Sequence, residues 1–435
     1  MVHKDLHKIP SKLEYTKYTL KNGLEVVLVP VKNVFSVDAR LTVRVGSQYE
    51  KKEINGIAHF LEHMNFKGTK KKPEHSILTK EIDENGGIQN AATSYDYTSY
   101  YAHIGFEYLE SILDFLSDIF TNSIFPEKEF EKEKGVIIEE IRMYEDDHRS
   151  KAEYLMIESL YGDQPAGWNI AGPEKVIANL TRKEMVDFYK KYYHPKNALL
   201  IIAGNFDKEK TKKLVKKYFE FDVKTKEIAF PKAKIYMNGP EVNFVKRDVK
   251  ETHFVLGFNA FSQYDKREPA LQILNALLSD GFNSRLYLNV REKLGGAYYV
   301  TSDVYSLYDR GIFSVSAGVN TEKSEEILKE IIKELNILKN ELVNEKELDK
   351  VKNRLVNAMI MGLDNPYKII YPIYNSVFYK NKAKSPKQLA EELLKVTSKD
   401  VRDVSRLVFK PENIKMGVVG SKNLKTEFGN IIKNI

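Results

Sequence analysis

The chain has 435 residues, 42% of them hydrophobic and 30% charged, and no cysteine. That length accommodates two domains of about 200 residues; the composition is globular rather than disordered, and the lack of thiols excludes a disulfide framework and any cysteine-based zinc site. The net charge of +7, from 68 basic against 61 acidic residues, is small and dispersed, and no basic–aromatic interleaving marks a nucleic-acid surface.

In chain order, Met1 to Lys12 has neither an apolar core nor an Arg/Ser-rich amphipathic pattern, so no signal or transit peptide is expected there. Alternating stretches at Val26–Pro30 and Val37–Val45 predict strands, with Asn22-Gly23 as a hairpin-type turn ahead of the first. Ile57 to Phe66 predicts a helix. His59, Glu62 and His63 are set among its apolar residues Ile57, Ala58, Phe60, Leu61, Met64 and Phe66. Residues i and i+4 share a helix face, so both imidazoles can reach one metal ion. Glu62, three residues past His59, projects toward the same ion. Two histidine ligands, a base beside them and an open position make a hydrolytic zinc site. The order His-x-x-Glu-His is the inverted form of the commoner His-Glu-x-x-His motif. A helix with two partly buried histidines and a surface glutamate would spell the same letters, so a third ligand must be found elsewhere.

Ala92 to Ile104, rich in threonine and tyrosine, predicts one further strand, and Tyr108–Phe120 and Glu127–Tyr144 predict helices. The last of these offers Glu133, Glu139 and Glu140 as ligands. Val136, Ile137, Ile141 and Tyr144 form an expected apolar stripe, and Glu140 falls inside it. Glu139 shares its face with Gly135 and Arg142, the expected solvent side. A carboxylate on a buried stripe needs a partner or a metal, which selects Glu140. Glu133, seven residues back on nearly the same face, suits support of a ligand from behind. The apolar run Ala198–Ala203 is far too short to span a bilayer, so a soluble, cytoplasmic protein without membrane contact is expected.

The second half repeats the first. Gly23-Leu24-Glu25-Val26 matches Gly239-Pro240-Glu241-Val242, and Ser47-Gln48-Tyr49-Glu50-Lys51 matches Ser262-Gln263-Tyr264-Asp265-Lys266. Glu127-Lys128-Glu129 matches Glu345-Lys346-Glu347, and Pro195, Asn197 and Gly204 match Pro411, Asn413 and Gly420. The offset stays between 215 and 218 throughout, the mark of an internal duplication. The expected organisation is a first domain over 1–221, a linker over 222–234 and a homologous domain over 235–435. Each reads as α+β: a largely antiparallel sheet with helices packed on one face. At the same offset the metal motif falls on Leu274-Asn275-Ala276-Leu277-Leu278, so the second half keeps the helix and lacks the ligands.

Gly56-Ile57-Ala58-His59-Phe60-Leu61-Glu62-His63-Met64-Asn65-Phe66-Lys67-Gly68-Thr69 closely resembles the signature of the pitrilysin/insulinase superfamily of zinc metallopeptidases, in particular its half-length, mitochondrial processing peptidase-like members. The resemblance covers nearly the whole chain, including Tyr192 to Asn197 and Ala203-Gly204. It implies the same third ligand, Glu140, and the same supporting glutamate, Glu133. It further implies that Asn90-Ala91 opens an edge strand on which substrate lies, and that Arg291 and Tyr298, in Arg291-Glu292-Lys293-Leu294-Gly295-Gly296-Ala297-Tyr298, contact substrate. An arginine can fork onto a peptide carbonyl or carboxylate, and a tyrosine hydroxyl can donate to an oxyanion. Gln164-Pro165-Ala166-Gly167 departs from the His-Pro pair that family members often carry ahead of the glycine corresponding to Gly172. The implied function is a zinc endopeptidase, one ion per chain, acting on unfolded or precursor peptides as a homodimer. The same resemblance implies one alternative, a non-catalytic structural or assembly subunit.

Overall fold

The computed structural model describes residues 14–221, 228–363, 365–378 and 384–435. The expected unsignalled start, Met1 to Lys12, and residues 222–227 of the expected linker lie outside these ranges.

The first half builds a six-stranded sheet from β1 (Thr16–Thr19), β2 (Glu25–Pro30), β3 (Ser36–Val43), β4 (Ile88–Thr93), β5 (Thr98–Gly105) and β6 (Ala198–Gly204), in the order β1-β2-β6-β3-β5-β4. Every neighbouring pair is antiparallel except β2–β6. The second half builds a five-stranded sheet from β7 (Glu241–Lys246), β8 (Glu251–Ala260), β9 (Ala297–Ser306), β10 (Gly311–Asn320) and β11 (Ile414–Gly420), in the order β7-β11-β8-β10-β9. Again a single pair, β7–β11, is parallel. The sequence matches fall at equivalent places. Asn197, ahead of β6, donates to the carbonyls of Tyr192 and Arg44. Asn413, ahead of β11, donates to those of Val408 and Asn259.

The helices of the first half are α1 (Ile57–Met64), α2 (His75–Glu84), α3 (Leu109–Thr121), α4 (Glu127–Asp146), α5 (His148–Tyr161), α6 (Glu174–Asn179), α7 (Arg182–Tyr192) and α8 (Lys208–Phe219). Those of the second are α9 (Glu268–Ser279), α10 (Ser324–Asn340), α11 (Glu345–Gly362), α12 (Pro366–Phe378), α13 (Pro386–Lys395), α14 (Ser398–Val408) and α15 (Lys425–Ile432). Each sheet buries one face under helices of its own half, forming two separate cores. This is the expected α+β class. The opposite faces are covered by exchange. Helix α5 of the first half lies on β8 and β11, while α12 of the second half lies on β3 and β6. Close docking of α5 requires glycine beneath it: a Cβ on Gly417 would stand 1.9 Å from the Ala152 carbonyl oxygen, and one on Gly257 2.0 Å from Met156 Sδ.

The single strand expected over Ala92–Ile104 is instead a hairpin of β4 and β5. Ser94 to Tyr97 turn the chain, with the Ser94 amide donating to the Tyr97 carbonyl at 2.8 Å. The turn carries no glycine because it is braced from outside. The amides of Ser47 and Gln48 donate to the carbonyls of Ser94 and Tyr95 at 3.1 and 3.0 Å. Among the described residues, no helix is long and apolar enough to cross a membrane.

Candidate metal centre

Helix α1 starts at Gly56, whose φ of 97° lies in the left-handed region that favours glycine. Gly56 offers the helix no capping side chain, and Glu50 supplies one. Its buried carboxylate accepts from the backbone amides of Gly56 and Ala58 and from Asn55 Nδ2, each at 2.8 Å. Phe60 stacks on Phe130 of α4 with centroids 4.8 Å apart, which sets α1 against α4. The two histidines are thereby turned toward Glu140.

His59 Nε2 lies 3.7 Å from Glu140 Oε1, and His63 Nε2 lies 3.5 Å from Glu140 Oε2. One donor atom from each of the three residues falls within 4.8 Å of the others. Both separations are long for hydrogen bonds. They are close to the edge of about 3.4 Å expected between ligands held near 2.1 Å from a tetrahedral zinc ion. The donor set, two imidazoles and one carboxylate, is that of a zinc site with a vacancy for substrate or water. The residues present therefore fit the ion.

The surroundings reinforce this. His63 Nδ1 pairs with Glu133 Oε1 at 3.0 Å, and the other Glu133 oxygen takes the Lys67 ammonium at 2.7 Å. A carboxylate on Nδ1 fixes the imidazole so that Nε2 is presented to a metal. Burial, with His63 next to it, holds His59 down to about 3, which keeps it neutral as a ligand must be. His63 moves the other way: burial lowers it, but Glu133, Glu62 and Glu140 together raise it. Glu133 feels burial upward and, more strongly in sum, His63 and Lys67 downward, and ends below its ordinary value. Glu62 is nearly buried, and burial raises it above the ordinary carboxylate range, with the Thr93 hydrogen bond opposing. Thr93 Oγ1 donates to Glu62 Oε2 at 2.5 Å.

The stripe on α4 is Phe130, Glu133, Ile137 and Ile141, all buried. Val136, expected in it, is 46% exposed. It sits about 100° around the helix from Ile137, and Glu140 falls between the two at the edge of the stripe. Glu139 is exposed and pairs with Arg142 at 2.7 Å, as its solvent-side position implied. Asn90 and Ala91 lie on β4, which among the described residues pairs only with β5 and so has one edge without a strand partner. Arg291 lies in a π-helix, Tyr287–Leu294, with its guanidinium 5.6 Å from the Tyr287 ring centre. Tyr298 is the second residue of β9 and is 59% exposed. Among the described residues, no hydrogen bond, ion pair or ring contact links either of them to His59, Glu62, His63 or Glu140. Sequence reasoning did not find Glu50, Lys67 or Thr93. Lys67 carried a signal, being four residues past His63. Glu50 and Thr93 carried none without the loop and hairpin geometry.

Residues 26–174 match the family model described as Insulinase (Peptidase family M16), and residues 179–355 match that described as Peptidase M16 inactive domain. An uncharacterized zinc protease of Rickettsia felis is 33% identical, over 90% of this chain and 94% of its own. The chain belongs to the insulinase peptidase family, M16. A second relative, the uncharacterized zinc protease YmxG of Bacillus subtilis, is 32% identical over 90% of this chain and 95% of its own. The crystal structure of a protease from Helicobacter pylori superposes with a TM-score of 0.89 at 28% identity, covering 94% of this chain and 99% of that one. A peptidase M16 inactive domain from Pseudomonas fluorescens, at 19% identity and a TM-score of 0.83, shares the fold. Within this M16 chain the "inactive" description falls mainly on the second half, where α9 carries Leu274-Asn275-Ala276-Leu277-Leu278 in place of the motif.

Proposed function

We propose that this M16 protein is a zinc-dependent endopeptidase of the His-x-x-Glu-His type, cleaving unfolded or precursor peptides, with the site in a domain over 1–221 and a homologous partner domain over 235–435. The observation that carries the reading is the convergence of His59, His63 and Glu140 donor atoms within 4.8 Å, with the Glu62 carboxylate close enough to feel the charges of His63 and Glu140. One zinc ion per chain, held there, would polarise the scissile carbonyl and make a neighbouring water more acidic. Glu62 takes a proton from that water and returns one to the leaving amine. Its burial favours proton acceptance, because a desolvated carboxylate is a stronger base than an exposed one. The open edge of β4, with Asn90 and Ala91, offers backbone groups to an extended peptide, a mode indifferent to side-chain sequence.

Arg291 would anchor the peptide and Tyr298 would donate to the oxyanion. Among the described residues no hydrogen bond, ion pair or ring contact joins either to the first-half group within one chain, which favours a homodimer whose sites combine the metal set of one protomer with Arg291 and Tyr298 of its partner. Replacing Glu62→Gln should leave zinc content intact and cut peptide turnover by on the order of 10²–10⁴-fold. Full turnover in that variant refutes the base. Mixing Glu62→Gln with Arg291→Ala protomers should regain activity that neither shows alone. A mixture as inactive as its parents refutes the shared site.

A further inference from the structure

We propose that Thr93 is the positioning residue of Glu62, registering the base against the strand that offers its edge to the peptide. The proposal rests on the peptidase reading above. Thr93 is the last residue of β4. Alternate strand residues face opposite sides. On β4, Ile88, Asn90 and Ala92 are exposed, whereas Gln89, Ala91 and Thr93 are half-buried, with Ala91 packed against the first-half core. Thr93 thus ends the inner row, on the side of α1, and its hydroxyl reaches Glu62 Oε2 at 2.5 Å. The Thr93 backbone also hydrogen-bonds the Glu62 carboxylate, so one residue holds the base twice.

The two residues differ in stiffness. A threonine is branched at Cβ, so its hydroxyl moves with the backbone. A glutamate has three soft side-chain torsions and takes its orientation from its partners. His63 and Glu140 act on Glu62 through charge, while Thr93 hydrogen-bonds it. Thr93 is itself fixed. It pairs with Thr98 across the hairpin, and the Thr98 hydroxyl donates to the Val45 carbonyl at 2.9 Å. The next residue, Ser94, is held by the Ser47 amide and by the Tyr305 hydroxyl of β9, 2.6 Å from its own hydroxyl. A peptide adding to the free edge of β4 would be placed by the same backbone that aims the base. Thr93, chiefly through its hydroxyl, then sets the distance between proton acceptor and scissile bond.

The test uses the full-length, zinc-loaded protein and an internally quenched unfolded peptide. Thr93→Val keeps the shape and deletes the hydroxyl; Thr93→Ser keeps the hydroxyl. Misplacement of about 1 Å costs up to about 10²-fold, so Thr93→Val should lose on the order of 10–10²-fold in kcat with KM and zinc content unchanged. Thr93→Ser should restore most of kcat. Crystals of the zinc-loaded variants should show Glu62 turned away in Thr93→Val and in place in Thr93→Ser. Wild-type kcat in Thr93→Val, equal impairment of both variants, or an unmoved Glu62 in Thr93→Val would each overturn the proposal. A wild type that binds zinc and cleaves no peptide would remove the peptidase reading instead, and the position of Glu62 in the Thr93→Val crystal would still decide the role of Thr93.

Discussion

Glu133 makes the strongest quantitative case for a built metal site. It is 2% exposed and bridges two groups: Oε1 meets His63 Nδ1 at 3.0 Å, and Oε2 meets the Lys67 ammonium at 2.7 Å. Replacing Glu133→Ala removes the acceptor that fixes the His63 ring and its protonation. It also leaves the Lys67 charge without its carboxylate, close to where a dication would sit. Losing a carboxylate behind a metal-bound histidine typically weakens metal binding 10–100-fold, about 1.4–2.7 kcal/mol. The stranded Lys67 places Glu133→Ala at the upper end of that range. Glu133→Gln keeps an acceptor and loses the charge, so its deficit should be smaller. Adding Lys67→Met to Glu133→Ala should recover part of the loss. Zinc affinity is read by competition against a chromophoric chelator at fixed pH, with a thermal melt to confirm folding. Wild-type affinity in folded Glu133→Ala would refute the reasoning.

Other expectations test the frame around the site. His253 is held below its ordinary value of 6.5 by burial and by His148, whose ring centre is 5.6 Å away. The unfolded chain therefore binds this proton at higher pH than the folded one, and the stability involved is complete above the unfolded value of about 6.5 and lost as pH falls from there through the lower folded value. The melting temperature should drop from pH of about 7.5 to about 5.5, and drop less in His253→Gln; parallel curves would contradict this. Gly417→Ala drives a Cβ against the Ala152 carbonyl, which is backbone, and should destabilise by about 1–3 kcal/mol or more. Gly257→Ala meets the thioether of Met156, which can swing aside, and should melt closer to wild type; the reverse order would sink the account of α5 docking. Glu50→Gln puts an amide where two backbone N–H groups point, and should cost about 1–3 kcal/mol, read as a lowered melting temperature. An unchanged melt would show that α1 needs no such cap.

The grouping of His59, His63 and Glu140 was legible because its information is local. His59 and His63 declare themselves by spacing on one helix, and Glu140 by its place near a buried stripe on another. The reading of that stripe was imperfect at Val136, since one residue is enough to turn a side chain about 100° out of a packed face. The duplication was legible because Pro195, Asn197 and Gly204 recur as Pro411, Asn413 and Gly420 at the same strand in each sheet. The hairpin within Ala92–Ile104 was not, because its turn is stabilised by residues 47–48 rather than by its own composition. The exchange of α5 and α12 was hidden for a related reason: a helix pattern shows that a face is buried but not against which sheet. Thr93 escaped notice because its partner lies 31 residues away and only the β4 register brings them together.

The central claim is that one divalent ion is held by two imidazoles of α1 and one carboxylate of α4. Diffraction from zinc-loaded crystals, collected on both sides of the zinc absorption edge, tests it directly. The account predicts a single strong anomalous peak per chain within about 2.0–2.2 Å of His59 Nε2, His63 Nε2 and a Glu140 oxygen. No peak at that position, or one bound without Glu140, would contradict it.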